Sequence, residues 1–378
     1  MPRFLHTADW QIGRQYSQFP PDDAVPLAQA RLAAVETVAR LALEHKVDAV
    51  LVAGDVFDAQ TVADRTIRKL LNALQGFPGP WLMIPGNHDA ALTESVWTRA
   101  QRLGALPANL HLALQGKVLD FPALGFSALT APLTQRHTYN DLTEWFNDAP
   151  TPAGHVRVGL AHGSVQGVLA EDIDSANPIA ADRATRARLD YLALGDWHGC
   201  KQIDKRTWYS GTPEPDRFKG NEPGYALLVD LDGPGTEPRV TRMETGQFRW
   251  QSWERSVAVA SDVDAFIAGL SGVGARDVLA VRLIGQIDLA GLQRLRVALS
   301  HTEAKARSVQ ADLTALRLSP TPEDIAALKA DGYLGDVITE LRERQDRPDG
   351  GASAEVAGHA LGLLTSILAE RNAPEAAA

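Results

Sequence analysis

Five short stretches of this chain place metal-binding side chains directly after apolar runs. They are Asp9 and Gln11 in HTADWQIG, Asp55 and Asp58 in GDVFD, Asn87 and His88 in GNHD, His162 in AHG, and Asp196 and His198 in GDWHG. Carboxylates, amide oxygens and imidazoles are all donors to divalent cations. Asp9 and Gln11 stand two residues apart, a spacing that presents both from one side of an extended strand end. Gly54, Gly86, Gly163, Gly195 and Gly199 flank the donors and let the chain turn sharply around them. Any one stretch is weak, because GD and GN are common turn dipeptides. Together, each behind an apolar run, they point to a metal site at the carboxyl ends of strands, where open α/β sheets hold their ligands.

The order of these pieces resembles the DxH, GDxxD, GNHD, H-G and GHxH series of the calcineurin-like metallophosphoesterases, and most closely their DNA-repair nuclease, SbcD-like, branch. The resemblance covers roughly residues 1–255, and WYSGTPEPDRF is similar to the strand and turn that follow the last motif in that branch. It implies two divalent cations that share Asp55. One would also take Asp9, Gln11 and His198, the other Asn87, His162 and Asp196. It implies that His88 stays off the metals and faces the substrate phosphate, with Asp58 holding its imidazole. Two cations about 3.5–4 Å apart acidify a bridging water, and the hydroxide attacks phosphorus in line. His88 would then stabilise the developing charge or protonate the leaving oxygen. Arg14 and Arg217 are candidate phosphate contacts, with a solvated surface charge as the alternative for each.

Gln11 and Asp196 stand where the resemblance leads one to look for histidine. With both as ligands the set holds three carboxylates, two amide oxygens and two imidazoles. That oxygen-rich mixture suits Mn²⁺ best, with Mg²⁺ or another transition metal as alternatives, and suits Zn²⁺ less. The other readings are a Gln11 bonded to neighbouring backbone and an Asp196 that braces a histidine ligand. Trp10 and Trp197 alternate with the donors, so they are expected to pack beneath the site, with base stacking as the alternative, and His6 is expected to be a packed histidine or one that supports a ligand rather than a ligand itself.

The elements that must carry these residues are legible as pattern. FLHTAD, DAVLVAGDVF and WLMIPGNHD alternate with LAQARLAAVETVARLALEH and TVADRTIRKLLNALQ, which show helical apolar spacing. This is a βαβ alternation. From residue 110 the runs shorten, and LHLAL, KVLDF, LGFSALTAP, HVRVGLAHGS, YLALGDWHG, TWYSGTPE, GYALLVDLD and PRVTRME read as a second sheet packed on the first. ADRATRARLD reads as a short polar helix. The fold expected is α/β: a two-sheet metallophosphoesterase sandwich flanked by helices over 1–255, then a small α/β accessory, or capping, module over 256–346. Residues 347–378 read as a linker (RPDGGAS), one amphipathic helix and a frayed tail.

With 378 residues, 45% hydrophobic and 22% charged, the chain has material for a full core. The net charge of −10 argues against a generally basic nucleic-acid coat, although carboxylates that hold cations enter that sum as bare negatives. One cysteine, Cys200, excludes an intramolecular disulfide and fits a reducing cytoplasm. No apolar run reads as a signal or a membrane span. The leading function is a Mn²⁺-dependent phosphodiesterase cleaving single-stranded DNA in repair, with an ATPase or other repair partner implied by the resemblance. The alternatives are an enzyme for small or cyclic nucleotides or phosphomonoesters, and a metal-poor binding or scaffold subunit.

Overall fold

The computed structural model describes residues 1–104, 106–168, 176–327, 332–347 and 351–372. Residues 348–350 of the expected linker and 373–378 of the expected tail lie outside the described residues. In chain order the first elements are β1 (Arg3–Thr7), α1 (Pro21–Glu44), β2 (Ala49–Ala53), α2 (Asp64–Ala73), β3 (Trp81–Ile84), α3 (Val96–Arg102) and β4 (Leu110–Leu112). Next come β5 (Lys117–Phe121), β6 (Phe126–Ala131), β7 (Val156–His162), β8 (Ser164–Val165), β9 (Pro178–Ile179), α4 (Arg183–Arg186), β10 (Tyr191–Gly195), β11 (Lys201–Gln202) and β12 (Thr207–Tyr209). The series ends with β13 (Tyr225–Asp230), β14 (Arg239–Glu244), β15 (Arg249–Val257), α5 (Ala260–Leu270), β16 (Asp277–Ile287), α6 (Leu289–Glu303), β17 (Ser308–Leu318), α7 (Pro322–Ala327), α8 (Tyr333–Gln345) and α9 (Gly351–Asn372). The chain divides into two compact units, Met1–Phe248 and Arg249–Ala378.

The first unit is a sandwich of two six-stranded mixed sheets, ordered β14-β13-β1-β2-β3-β4 and β11-β12-β10-β7-β6-β5. The strands that matter for the site, β1, β2 and β3 in one sheet and β7 and β10 in the other, run parallel to one another within each sheet. AVLVA in β2 shows why the layers form. Ala49, Leu51 and Ala53 face the second sheet, packing with Leu160, Ala193 and Tyr191. Val50 and Val52 face outward, beneath Val35 and Val38 of α1 and Ile67 and Leu70 of α2. A strand buried on both faces reads as a continuous apolar run, as parallel strands do.

Three strands fall elsewhere than the sequence pattern suggested. LHLAL, GYALLVDLD and PRVTRME join the first sheet, as β4 beside β3 and as β13 and β14 beyond β1. The physical reason is visible in β13. Ala226 and Leu228 enter the cluster beneath the helices, while Leu227 and Val229 enter the layer between the sheets. A strand apolar on both sides belongs beside β1 rather than at an exposed margin. The short helix expected within 181–190 is α4.

The second unit is a small parallel sheet, β15-β16-β17, with α5 and α6 in the two crossovers. Its core holds Val263, Phe266, Leu279, Val281, Leu283, Leu295 and Leu299. The domain boundary expected at 255/256 falls inside β15, whose pairing with β16 places the whole strand in this unit. The last helix is apolar on more than one face. Ala357, Leu361 and Leu368 are buried, whereas Val356, Leu363 and Ile367 are exposed. That differs from the amphipathic helix expected. Among the described residues no helix is long and apolar enough to cross a membrane.

Candidate metal centre

Beyond the carboxyl ends of β1 and β2 the backbone leaves the sheet but stays cross-linked. Asp9 N donates to Gly54 O at 3.0 Å, Gln11 N to Asp55 O at 2.9 Å and Ile12 N to Val56 O at 2.9 Å. In these turns Asp9, Gln11 and Asp55 adopt φ of 54°, 48° and 52°, and Asp196, after β10, adopts 103°. Non-glycine residues held at positive φ carry a cost that surrounding structure must sustain, and such strain gathers at functional sites. Two glycines are required by close approach. A Cβ on Gly86 would lie 2.2 Å from Asp55 Oδ1, and one on Gly195 would lie 2.0 Å from Ala53 O.

This backbone gathers most of the sequence-predicted donors. Ligand atoms of Asp9, Asp55 and His162, all buried, lie within 4.8 Å of one another. His162 Nε2 is 3.6 Å from Asp55 Oδ1, 3.7 Å from Asp196 Oδ1 and 2.9 Å from Asn87 Oδ1. Its Nδ1 lies 2.8 Å from Ala53 O, so a hydrogen sits there and Nε2 is the nitrogen directed at the carboxylates. The Tyr209 hydroxyl donates to Gly163 O and accepts from Val165 N, bracing the turn that follows His162. Asp196 donates its main-chain N–H to both oxygens of Asp9, at 3.1 and 3.3 Å.

The electrostatics of this group call for a cation. Burial, opposed by His198 and His162 but reinforced by Asp55 and Asp196, pushes the Asp9 carboxyl up to about 6. Burial also raises Asp196, again against His162 and with Asp55. Burial alone would lower His162, yet Asp55, Asp196 and Asp9 outweigh it and carry the imidazole up to about 9. Protons here are doing what a multiply charged cation does better, neutralising carboxylates crowded out of water. Gln11 is buried, donates Nε2 to Asp55 Oδ2 at 2.8 Å, and leaves Oε1 with no partner. A buried amide oxygen without a donor is suited to a cation. The oxygen-rich donor set therefore fits divalent metal.

One sequence-based assignment needs correction. The Asp58 carboxylate does not hold His88. His88 Nδ1 meets the Asp58 main-chain oxygen at 2.8 Å, while the Asp58 side chain turns to Arg14 Nη1 at 3.5 Å. Spacing in the sequence located the right residue, but the turn after β2 presents its carbonyl rather than its side chain. His88 N also donates to Asp55 Oδ1 at 2.9 Å, and its ring is one-third exposed.

Three further residues were missed, Asp89, Arg31 and Asp216. Asp89 is fully buried and accepts main-chain N–H groups from Gly86 at 2.7 Å, Val56 at 2.9 Å and Phe57 at 3.1 Å, tying the GDVFD and GNHD turns together. Burial and the neighbouring Asp55 raise its carboxyl to about 7 against those hydrogen bonds. Arg31, on α1, is also buried. It donates to the carbonyls of Trp10 (2.7 Å), Asp9 (2.9 Å) and Glu214 (3.1 Å) and to Thr212 Oγ1 (2.9 Å). Its signal was an arginine on the apolar helical register Leu27-Arg31-Val35. His6 and Trp10 are packed as expected: His6 Nδ1 meets the Tyr191 hydroxyl at 2.9 Å, and Trp10 Nε1 donates to Thr7 Oγ1 at 2.9 Å. Trp197 is partly buried, with Lys201 over its ring.

The family model described as calcineurin-like phosphoesterase matches residues 2–229. This chain belongs to the calcineurin-like phosphoesterase family. Within it, the chain is similar to a protein of Methanosarcina acetivorans named DNA double-strand break repair protein Mre11, at 27% identity over 250 residues, 62% of this chain and 38% of that one. It is 30% identical over 289 residues to the SbcD subunit of the SbcCD nuclease of Rhodobacter capsulatus, covering 63% of this chain and 68% of that one. A protein of Aeropyrum pernix also named Mre11 is 28% identical over 254 residues, covering 62% of this chain and 59% of its own. The chain thus spans between 38% and 68% of the length of these relatives.

In this phosphoesterase the remaining predicted residues form a charged group around Asp216. His198 Nδ1 lies 3.1 Å from Asp216 Oδ2, and Arg217 grips the same carboxylate through Nε and Nη2, both at 3.0 Å. Arg14 Nη1 is 3.5 Å from Asp216 and equally far from Asp58. Burial would raise Asp216, but His198, the nearby charge of Arg31 and the bond to Arg217 hold it far below the usual carboxylate range. Arg14 and Arg217 are partly exposed, with side-chain accessibilities of 24% and 36%, which leaves guanidinium edges open to an anion.

Proposed function

We propose that this protein hydrolyses phosphodiester bonds in single-stranded DNA as a repair nuclease, with two divalent cations, preferentially Mn²⁺. The observation that carries the reading is the buried Asp9, Asp55 and His162 cluster, with Asn87 and Asp196 against His162. Asp55 would be shared by both cations, with Asp9, Gln11 and His198 on one side and Asn87, His162 and Asp196 on the other. When bound, the cations supply water activation and neutralise phosphate charge. The chain's own part is to orient and to move protons. His88, fixed by Asp55 and the Asp58 carbonyl, keeps Nε2 available to a phosphate or leaving oxygen. Arg14 and Arg217 offer donors to the non-bridging oxygens. The three carboxylates and two amide oxygens of the set favour Mn²⁺ over Zn²⁺.

DNA as substrate is supported by the names of the relatives. A partner protein is supported in the same way, since one relative is named as a single subunit of a nuclease. Residues 1–255 would carry hydrolysis, and 256–346 with 347–378 would serve recognition. The test is turnover by metal-stripped protein reconstituted with Mn²⁺, using a chromogenic diester, the matching monoester and a labelled oligonucleotide. Diester and single-strand cleavage that vanish with chelator are the expected results. Preference for the monoester, or no cleavage under any divalent metal, would overturn the proposal.

A further inference from the structure

The two halves of the centre are not equally open to a cation. On the His162 side, Asp55 Oδ1, Asn87 Oδ1 and Asp196 Oδ1 all approach one imidazole nitrogen, and among the described residues no arginine or lysine enters these contacts. The His88 main-chain N–H does reach Asp55 Oδ1 there, but on the His198 side it is side-chain N–H groups, one of them charged, that are already in place. Gln11 turns Nε2 onto Asp55 Oδ2. Arg217 Nη2 lies 2.8 Å from His198 Nδ1 and 3.2 Å from Nε2. A nitrogen that close to both ring nitrogens lies over the imidazole face, so its positive charge stands beside any cation coordinated by Nε2. Like charges at such range repel strongly in a partly buried site. The guanidinium does not leave freely either, because Arg217 bonds both oxygens of Asp216, each at 3.0 Å, and Asp216 is buried.

We infer that Arg217 is an intramolecular competitor for the cation at His198, so that this protein holds one divalent ion tightly and a second only conditionally. The inference rests on the ligand assignment of the proposed function and concerns how the two positions fill. Asp216 serves both roles, as the anchor of the competitor and as the partner that orients His198. Occupancy of the second position then follows the concentration of free cation, and a phosphate that draws Arg217 toward itself frees the position.

The test is Mn²⁺ binding to the full chain by calorimetry and by electron paramagnetic resonance, in the wild type, Arg217→Met and Arg217→Lys. The wild type is expected to bind one Mn²⁺ tightly and a second at least tenfold more weakly, with a mononuclear signal at one equivalent. Arg217→Met is expected to tighten the second ion about tenfold and to bring in an exchange-coupled pair signal at two equivalents, while Arg217→Lys, which keeps the charge, stays near the wild type. Two equally tight ions in the wild type, or a second affinity unmoved by Arg217→Met, would overturn the competitor and leave the diesterase reading standing. Absence of any Mn²⁺ binding in all three proteins overturns both.

Discussion

At the residue scale, the chemistry of this protein depends on which atom of a residue faces which neighbour. Asp58 illustrates the point, since it meets His88 through its carbonyl and Arg14 through its carboxylate. Asp58→Asn should therefore keep diesterase activity within about threefold of the wild type, whereas His88→Ala should lose on the order of 10²-fold or more, as loss of a proton-transfer group does. A comparable collapse in Asp58→Asn would return the carboxylate to the imidazole. Arg31 makes the converse case, a residue remote from the reacting atoms whose donors hold the Asp9 and Glu214 carbonyls together. Arg31→Met leaves several buried carbonyls without donors, and unfolding should be easier by about 3 kcal/mol on the usual cost of such groups. Mn²⁺ affinity should fall with it, more than in Arg31→Lys, and unchanged denaturation would refute the role. The strand-end donors were legible because polar clusters after apolar runs are local. Asp216 and Arg31 were not, because the groups that give them a role, the His198 ring for one and the Asp9 and Glu214 carbonyls for the other, are not their neighbours in sequence.

At the element scale, parallel strands from two sheets end at one place, and that convergence leaves little room between them. Gly195, the last residue of β10, sits against the Ala53 carbonyl at the end of β2. In Gly195→Ala the added carbon meets main chain that cannot rotate away, so the strand ends must part. A loss of about 3 kcal/mol is expected from overpacking of this kind, read as a lower denaturation midpoint, with weakened Mn²⁺ binding alongside. A variant as stable as the wild type would show that the sheets yield more easily than their packing suggests. The alternation of strands and helices in the first hundred residues could be read from sequence because it depends on neighbours. Sheet membership of β4, β13 and β14 could not, because pairing partners are chosen across long separations and a short apolar strand looks alike in either sheet.

At the scale of the whole molecule, the two sheets of the first unit are joined by a buried polar contact as well as by apolar packing. His6, on β1, reaches the Tyr191 hydroxyl and the Leu194 carbonyl, both on β10. Burial lowers its imidazole to about 3, although the bond to Leu194 works the other way. The unfolded chain protonates this histidine below about 6.5 and the folded one does not. Stability is therefore full above that pH and declines as pH falls from about 6.5 toward 3, by up to about 1.4 kcal/mol per pH unit from this group. Urea denaturation at a series of pH values should show this contribution as the difference between wild type and His6→Asn, because the raised Asp9 and Asp89 carboxyls favour the fold as pH falls and oppose it when the wild type is read alone. The same pH dependence in both proteins would refute the burial argument.

The cross-linked turns after β1 and β2 bear on how a cation would be received. Their unusual dihedrals are fixed by main-chain bonds between the two turns, so the directions of the donors are settled when the chain folds. Capture of an ion then requires little ordering of the protein, and the entropy that a flexible site surrenders on binding has already been spent in folding. Such a site should fill quickly, release its ion without unravelling, and keep its outline through repeated exchange.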